Sequence, residues 1–167
     1  MNYRGACSVS KVALAASLLM LMLMQAATAA TLCRLQSGGS VDFGPYDTTT
    51  PADTMAIVQV LCERNGGPQQ FSVTLGLSAG IHGTSVDNRR MLQVGGSGEF
   101  LNYGLFRDAG RSSPWGFTPG LDAVTQTVSV PNKGAVAVTF TIYGRIPAPQ
   151  NASIGSYGDR IQVTLTP

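Results

Sequence analysis

Val136-Ala137-Val138-Thr139-Phe140-Thr141-Ile142-Tyr143-Gly144-Arg145 is the stretch whose reading decides the fold. Val136, Val138, Phe140 and Ile142 fall on one side of an extended chain, and Ala137, Thr139, Thr141 and Tyr143 on the other. A period of two is the pattern of a half-buried strand, because successive side chains of a strand point to opposite faces. Working outward, Phe71, Val73, Leu75 and Leu77 alternate with Ser72, Thr74, Gly76 and Ser78. Ile161, Val163 and Leu165 alternate with Arg160, Gln162, Thr164 and Thr166. Weaker alternation marks further strands over 32–43, 56–63, 90–94, 101–106 and 124–130. Between them lie Ser37-Gly38-Gly39, Asn65-Gly66-Gly67-Pro68, Gly95-Gly96-Ser97-Gly98, Pro131-Asn132-Lys133-Gly134 and Pro147-Ala148-Pro149. Gly supplies positive φ and Pro fixes φ near the turn value, so these clusters punctuate strands. No window of helical length carries apolar residues at i, i+3, i+4 and i+7. The pattern predicts an all-β sandwich with Val73, Leu75, Val138, Phe140 and Ile142 in its core.

The 167 residues, 44% hydrophobic and 12% charged, suit one domain once a targeting segment is set aside. Met1 to Lys11 is a short basic lead, Val12 to Met24 is nearly unbroken Leu, Met, Ala and Val, and Ala27-Thr28-Ala29 offers small residues for cleavage. This reads as a secretory signal peptide over 1–29, with the β-sandwich domain over 30–167. An apolar run of about 13 residues is too short for a transmembrane anchor, which needs roughly 20. Setting aside Arg4 and Lys11 from the 11 basic residues leaves 9, matching the 9 acidic ones. A neutral chain with no basic cluster lacks the footprint that phosphate-backbone binding needs, so nucleic acid is not an expected partner.

Export also removes Cys7 and leaves Cys33 and Cys62, an even pair that reads as one disulfide. A metal site would need more ligands than two cysteines and the lone His82 supply, so neither metal nor cofactor is expected. No GxSxG elbow surrounds any serine, His82 lies in a Gly-rich stretch, and the acids are scattered beside turns. Nothing here points to an enzyme. Trp115, in a Gly/Pro-rich loop, has two readings: a surface contact stacking on a sugar ring, or an anchor folded over the core. The anchor is favoured, since a lone aromatic usually buries its large apolar area.

Beyond the strands, the order of short motifs is specific. Cys33 is followed by Val41-Asp42-Phe43-Gly44-Pro45-Tyr46-Asp47, Cys62, Arg90-Met91 and Leu101-Asn102-Tyr103-Gly104-Leu105-Phe106-Arg107-Asp108. Then come Trp115-Gly116, Tyr143-Gly144-Arg145-Ile146-Pro147 with Gln150, and Gly155-Ser156-Tyr157-Gly158-Asp159. In this order the chain resembles the spore coat protein U domain family, which includes the subunits of archaic chaperone-usher pili, from Cys33 to Leu165. Pro149 and Phe106 depart mildly from the family pattern, where Gly and Tyr are common.

The resemblance implies an incomplete immunoglobulin-like sandwich lacking its final strand, completed by a strand from a neighbouring subunit. It implies a periplasmic pilus chaperone, an outer-membrane usher and neighbouring pilus subunits as partners. It also implies export through the periplasm to the cell surface, and a role in adhesion and biofilm formation. The groove that accepts the donor strand would be lined by Val41, Phe43, Ile161, Val163 and Leu165. The last alternating stretch runs to Thr166-Pro167, which agrees with a missing covering strand. Only about three residues, Ala30 to Leu32, precede Cys33 after cleavage, fewer than a donor strand needs, so a tip or terminal position is expected. Two alternatives stay open: a groove closed internally by the 32–43 segment, and a self-contained secreted module that binds carbohydrate without a filament.

Overall fold

The computed structural model describes residues 30–166. The signal peptide expected over 1–29 lies outside the described residues. Nine strands follow in chain order: β1 (Thr31–Ser37), β2 (Ala52–Arg64), β3 (Gln69–Leu77), β4 (Arg89–Gln93), β5 (Phe100–Phe106), β6 (Val124–Val130), β7 (Ala135–Ile146), β8 (Tyr157–Gly158) and β9 (Val163–Thr166). They form two antiparallel sheets, ordered β1-β2-β7-β5-β4-β8 and β6-β3-β9. This is the all-β sandwich that the alternation predicts, in keeping with the immunoglobulin-like form that the family resemblance implies, and the described residues contain no helix. None of them therefore forms a helix long and apolar enough to cross a membrane.

Alternation decides what is buried. The inward set includes Val58, Val60 and Cys62 of β2, Val73, Leu75 and Leu77 of β3, Leu101 and Leu105 of β5, and Val138, Phe140, Ile142 and Ile146 of β7. All five residues predicted for the core are buried. Each such side chain contributes about 1.5–3 kcal/mol of transfer free energy, before the entropy of ordering it is counted. Outward neighbours on β7, such as Thr139 and Thr141, pair across the sheet with Gln59 and Ile57.

Cys33 and Cys62 are directly opposed on β1 and β2 and are joined by a disulfide. The bond fixes the register of the edge strand against the long central one.

Two strand boundaries differ from expectation. The strand expected over 32–43 ends at Ser37, after a register shift between Leu35 and Ser37, and residues 38–43 run outside any sheet. Gly38 and Gly39 let the chain leave β2, and Gly39 passes so close that a Cβ there would meet the Ile57 carbonyl oxygen at 2.7 Å. The strand expected over 160–166 begins at Val163, preceded by the two-residue β8, which the alternation did not reveal.

Candidate functional site: an open groove at a sheet edge

β9 is the last strand of its sheet and pairs on one side only, with β3. Ser78 N–H donates to the Gln162 carbonyl (3.0 Å), Ile81 N–H to the Arg160 carbonyl (3.2 Å), and β4 takes over beside β8. The stretch 157–166 is thus flanked on one side along its length by β3, its continuation, and β4. In an antiparallel ladder the backbone groups of alternate residues point to opposite sides. Since Arg160 and Gln162 face β3, the amides and carbonyls of Ile161, Val163 and Leu165 face the other side. No described residue bonds them there.

Across that free edge lies the 38–46 segment. Among the described residues, 38–43 make no backbone-to-backbone hydrogen bond. The segment is held by side chains instead. Thr54 Oγ1 donates to the Asp42 carbonyl (2.6 Å), Gly44 N–H to Asp42 Oδ1 (2.9 Å), and the Tyr46 hydroxyl to the Pro147 carbonyl (3.0 Å). Phe43 packs edge-on against Tyr103, with ring centroids 5.8 Å apart, and lies over Gly144. A Cβ on Gly144 would meet the Phe43 ring and the Thr54 methyl at 2.9 Å. That explains a glycine near the end of the otherwise regularly alternating β7.

Between the two walls lie adjoining cavities of about 570 and 510 Å³. The first runs from Gly38–Phe43 on one wall to Gly158, Asp159, Ile161 and Val163 on the other, over Val58, Leu77, Leu105 and Ile142. The second continues along Pro45 and Tyr46 opposite Ala152 to Ser156, over Leu101 and Ile146. Val41, Phe43, Met91 and Tyr157 belong to both and mark their junction. The cavities form one groove with an apolar floor, walls of mixed polarity and an unsatisfied strand edge along one wall.

Of the residues the sequence proposed for this groove, Val41, Phe43, Ile161 and Val163 line the first cavity. Leu165 lies further along the same edge, partly buried against the core, paired with Leu75. Trp115 is not a surface contact: it is 1% exposed, packs 6.3 Å from Phe140, and its indole N–H donates to the Leu75 carbonyl (2.9 Å). The stacking-platform reading is corrected on that ground. His82 lies in the loop between β3 and β4, its ring 6.0 Å from that of Phe100. Among the described residues no group of three or more His, Cys, Asp or Glu is placed to hold a metal.

Two polar features of the groove's frame escaped the sequence reading. Arg89 is fully buried, and its guanidinium donates to the carbonyls of Leu77, Ser78, Val86 and Trp115 at 2.7–3.1 Å. Burial lowers its pKa from the usual arginine value. The signal was present in the period of two, which puts Arg89 on one face with Met91 and Gln93, all three buried. The second feature is Asp159 on the groove wall, which accepts hydrogen bonds from the Tyr103 hydroxyl (2.7 Å) and from the amides of Ile81 and Arg160 (3.0 and 2.8 Å). Burial first, and the bond to Asp159 second, push the Tyr103 hydroxyl far above the ordinary tyrosine range, so it remains a neutral donor.

The chain is 26% identical over 179 residues to Protein U of Myxococcus xanthus, covering 95% of this chain and 96% of that protein. It is also similar to a chain in the crystal structure of the CsuC-CsuE chaperone-tip adhesion subunit pre-assembly complex from archaic chaperone-usher Csu pili of Acinetobacter baumannii. There the identity is 16% and the TM-score 0.48, over 81% of this chain and 39% of that one. The Spore Coat Protein U domain profile matches residues 19–164, which take in every strand from β1 to the start of β9. With its sandwich, its disulfide-locked first strand and its matched length, the chain belongs to the Spore Coat Protein U domain family.

Proposed function

We propose that this protein is a structural subunit of a chaperone-usher pilus or surface coat, and that its groove accepts an extended strand from a partner chain. The observation that carries this reading is the free edge at Ile161, Val163 and Leu165, set above a groove with an apolar floor. Strand addition satisfies both deficits together, since main-chain bonds complete the edge and alternate apolar side chains fill the cavities. The groove runs beside about ten residues, 154 to 163, or roughly 30 Å at ~3.3 Å per residue, so it matches a strand of eight to ten. Left empty, such an edge is an aggregation site, which supplies the physical need for a periplasmic chaperone before a neighbouring subunit fills it. Family membership supports the structural-subunit assignment; in the proposed assembly an outer-membrane usher is the platform and adhesion and biofilm formation the role.

The same reading takes residues 1–29 as the export signal and the Cys33–Cys62 disulfide as a product of the oxidising compartment beyond it. Thr31 and Leu32, just ahead of Cys33, pair with Arg64 and Glu63 within the chain's own sheet. Cleavage at Ala30 would leave them committed there rather than available for donation, which supports a tip or terminal place in the assembly.

The test uses a synthetic peptide of about nine residues, with Val, Ile or Leu at every second position and Thr or Ser between. A control of the same composition has its apolar residues contiguous. At a hundredfold excess over Kd the alternating peptide should stabilise the fold by about 2.7 kcal/mol, roughly 9 °C in melting temperature. Equal shifts from both peptides, or none from either, would remove the strand-addition reading.

A further inference from the structure

We propose that Ser78 and Arg89 act together as a latch that holds the groove's strand edge in register, making Ser78 a positioning residue for partner-strand docking. The inference rests on the strand-addition reading above. It starts from an irregularity where β3 ends. The ladder between β3 and β9 pairs Thr74, Leu75, Gly76 and Leu77 with Thr166, Leu165, Thr164 and Val163. Leu77 N–H bonds to the Gly116 carbonyl on the far side, so Ser78 and Gln162 form the next hydrogen-bonded rung. In a regular rung each residue would donate to the other's carbonyl.

Only half of that rung is regular. Ser78 N–H donates to the Gln162 carbonyl (3.0 Å), but the Ser78 carbonyl is turned away and accepts Nε and Nη2 of the buried Arg89, at 2.9 and 2.8 Å. The Gln162 amide donates instead to Ser78 Oγ (2.9 Å). A side-chain oxygen thus replaces the carbonyl that the guanidinium has taken. The exchange leaves no buried donor unpaired at Arg89 and still pins Gln162 between Ile161 and Val163, two residues of the groove wall. Arg89 also bonds the carbonyls of Leu77, Val86 and Trp115, so the position of Ser78 is fixed to the β3 terminus, the loop before β4 and the Trp115 loop together. A hydroxyl at 78 is therefore what lets a buried arginine and a straight docking edge coexist.

The experiment measures affinity for the alternating peptide and amide exchange at Gln162 in the wild type, Ser78→Ala, Ser78→Thr and Arg89→Lys, well below each melting temperature. Ser78→Ala should weaken the peptide by about tenfold, the worth of one hydrogen bond at the edge, and speed Gln162 exchange while Val73 and Phe140 stay protected. Ser78→Thr, which keeps the hydroxyl, should restore both. Arg89→Lys, whose single Nζ carries three protons and cannot reach the four carbonyls that the guanidinium's three nitrogens bond, should loosen the same amide and weaken the peptide. Equal affinity and equally slow Gln162 exchange in wild type and Ser78→Ala would overturn the latch while leaving strand addition standing. A wild-type protein that binds no peptide would remove strand addition, and with it the latch's role.

Discussion

At the scale of single residues, the molecule places its few charges where they fasten one segment to another. Asp53 accepts Nε and Nη2 of its cross-strand partner Arg145 at 2.7 and 2.8 Å, with Arg111 nearby at 3.3 Å. The bond to Arg145 holds its carboxyl below the usual range. Asp108, bonded first by the Ser112 amide, and Asp47 and Glu99, bonded first by the Thr49 and Ser153 amides, shift the same way. A carboxyl with a lowered folded-state pKa contributes stability that is present above its unfolded value and lost as pH falls through the folded one. The melting temperature should therefore hold between about pH 7 and 5 and fall below about pH 4. A midpoint unchanged down to pH 2 would show that these bonds do not persist in solution. In the core, Phe140 is 1% exposed and packs against Trp115. Phe140→Ala should cost about 3–5 kcal/mol in denaturant unfolding, and a near-neutral result would show the register of β7 to be wrong.

At the scale of elements, β1 and β2 depend on their covalent tie. Cys33 and Cys62 close a loop with a sequence separation of 29, worth about 3–4 kcal/mol in the chain-entropy model. The double variant Cys33→Ser/Cys62→Ser should lose about that much stability, and unreduced protein should titrate with no free thiol at either position. Two free thiols would contradict the pairing. These strands also show how far the sequence could be read. β3 and β7 were legible because their large aliphatic residues and Phe occupy only the inward face. β2 was legible from Ala56 onward but not at its start, where Met55 points outward, 65% exposed, and blurs the alternation. The 38–43 segment carries strand-like alternation at Val41 and Phe43 without forming a strand. Its edge of the groove has no strand among the described residues to pair with, and single-sequence alternation records side-chain facing rather than backbone partners. Arg89 was missed because a charge is ordinarily read as exposed, whereas its burial depends on carbonyls that only the fold brings together.

At the scale of the whole molecule, the two sheets end in the edge strands β1, β8, β6 and β9, and the edge along β8 and β9 is the one that borders the cavities. Its two sheets share a continuous buried core, and the seam between 38–46 and 154–165 is where backbone groups and apolar floor are left together without a covering strand among the described residues. The central claim is that this seam is built to be completed by another chain. Hydrogen exchange at the amides of Ile161, Val163 and Leu165, with and without the alternating peptide, tests it most directly. The account predicts fast exchange at these three amides in the free protein while their neighbour Gln162 is slow, and strong protection of all three once the peptide binds. Slow exchange at the three amides in the free protein, unchanged by peptide, would mean that the edge is already closed and would contradict it.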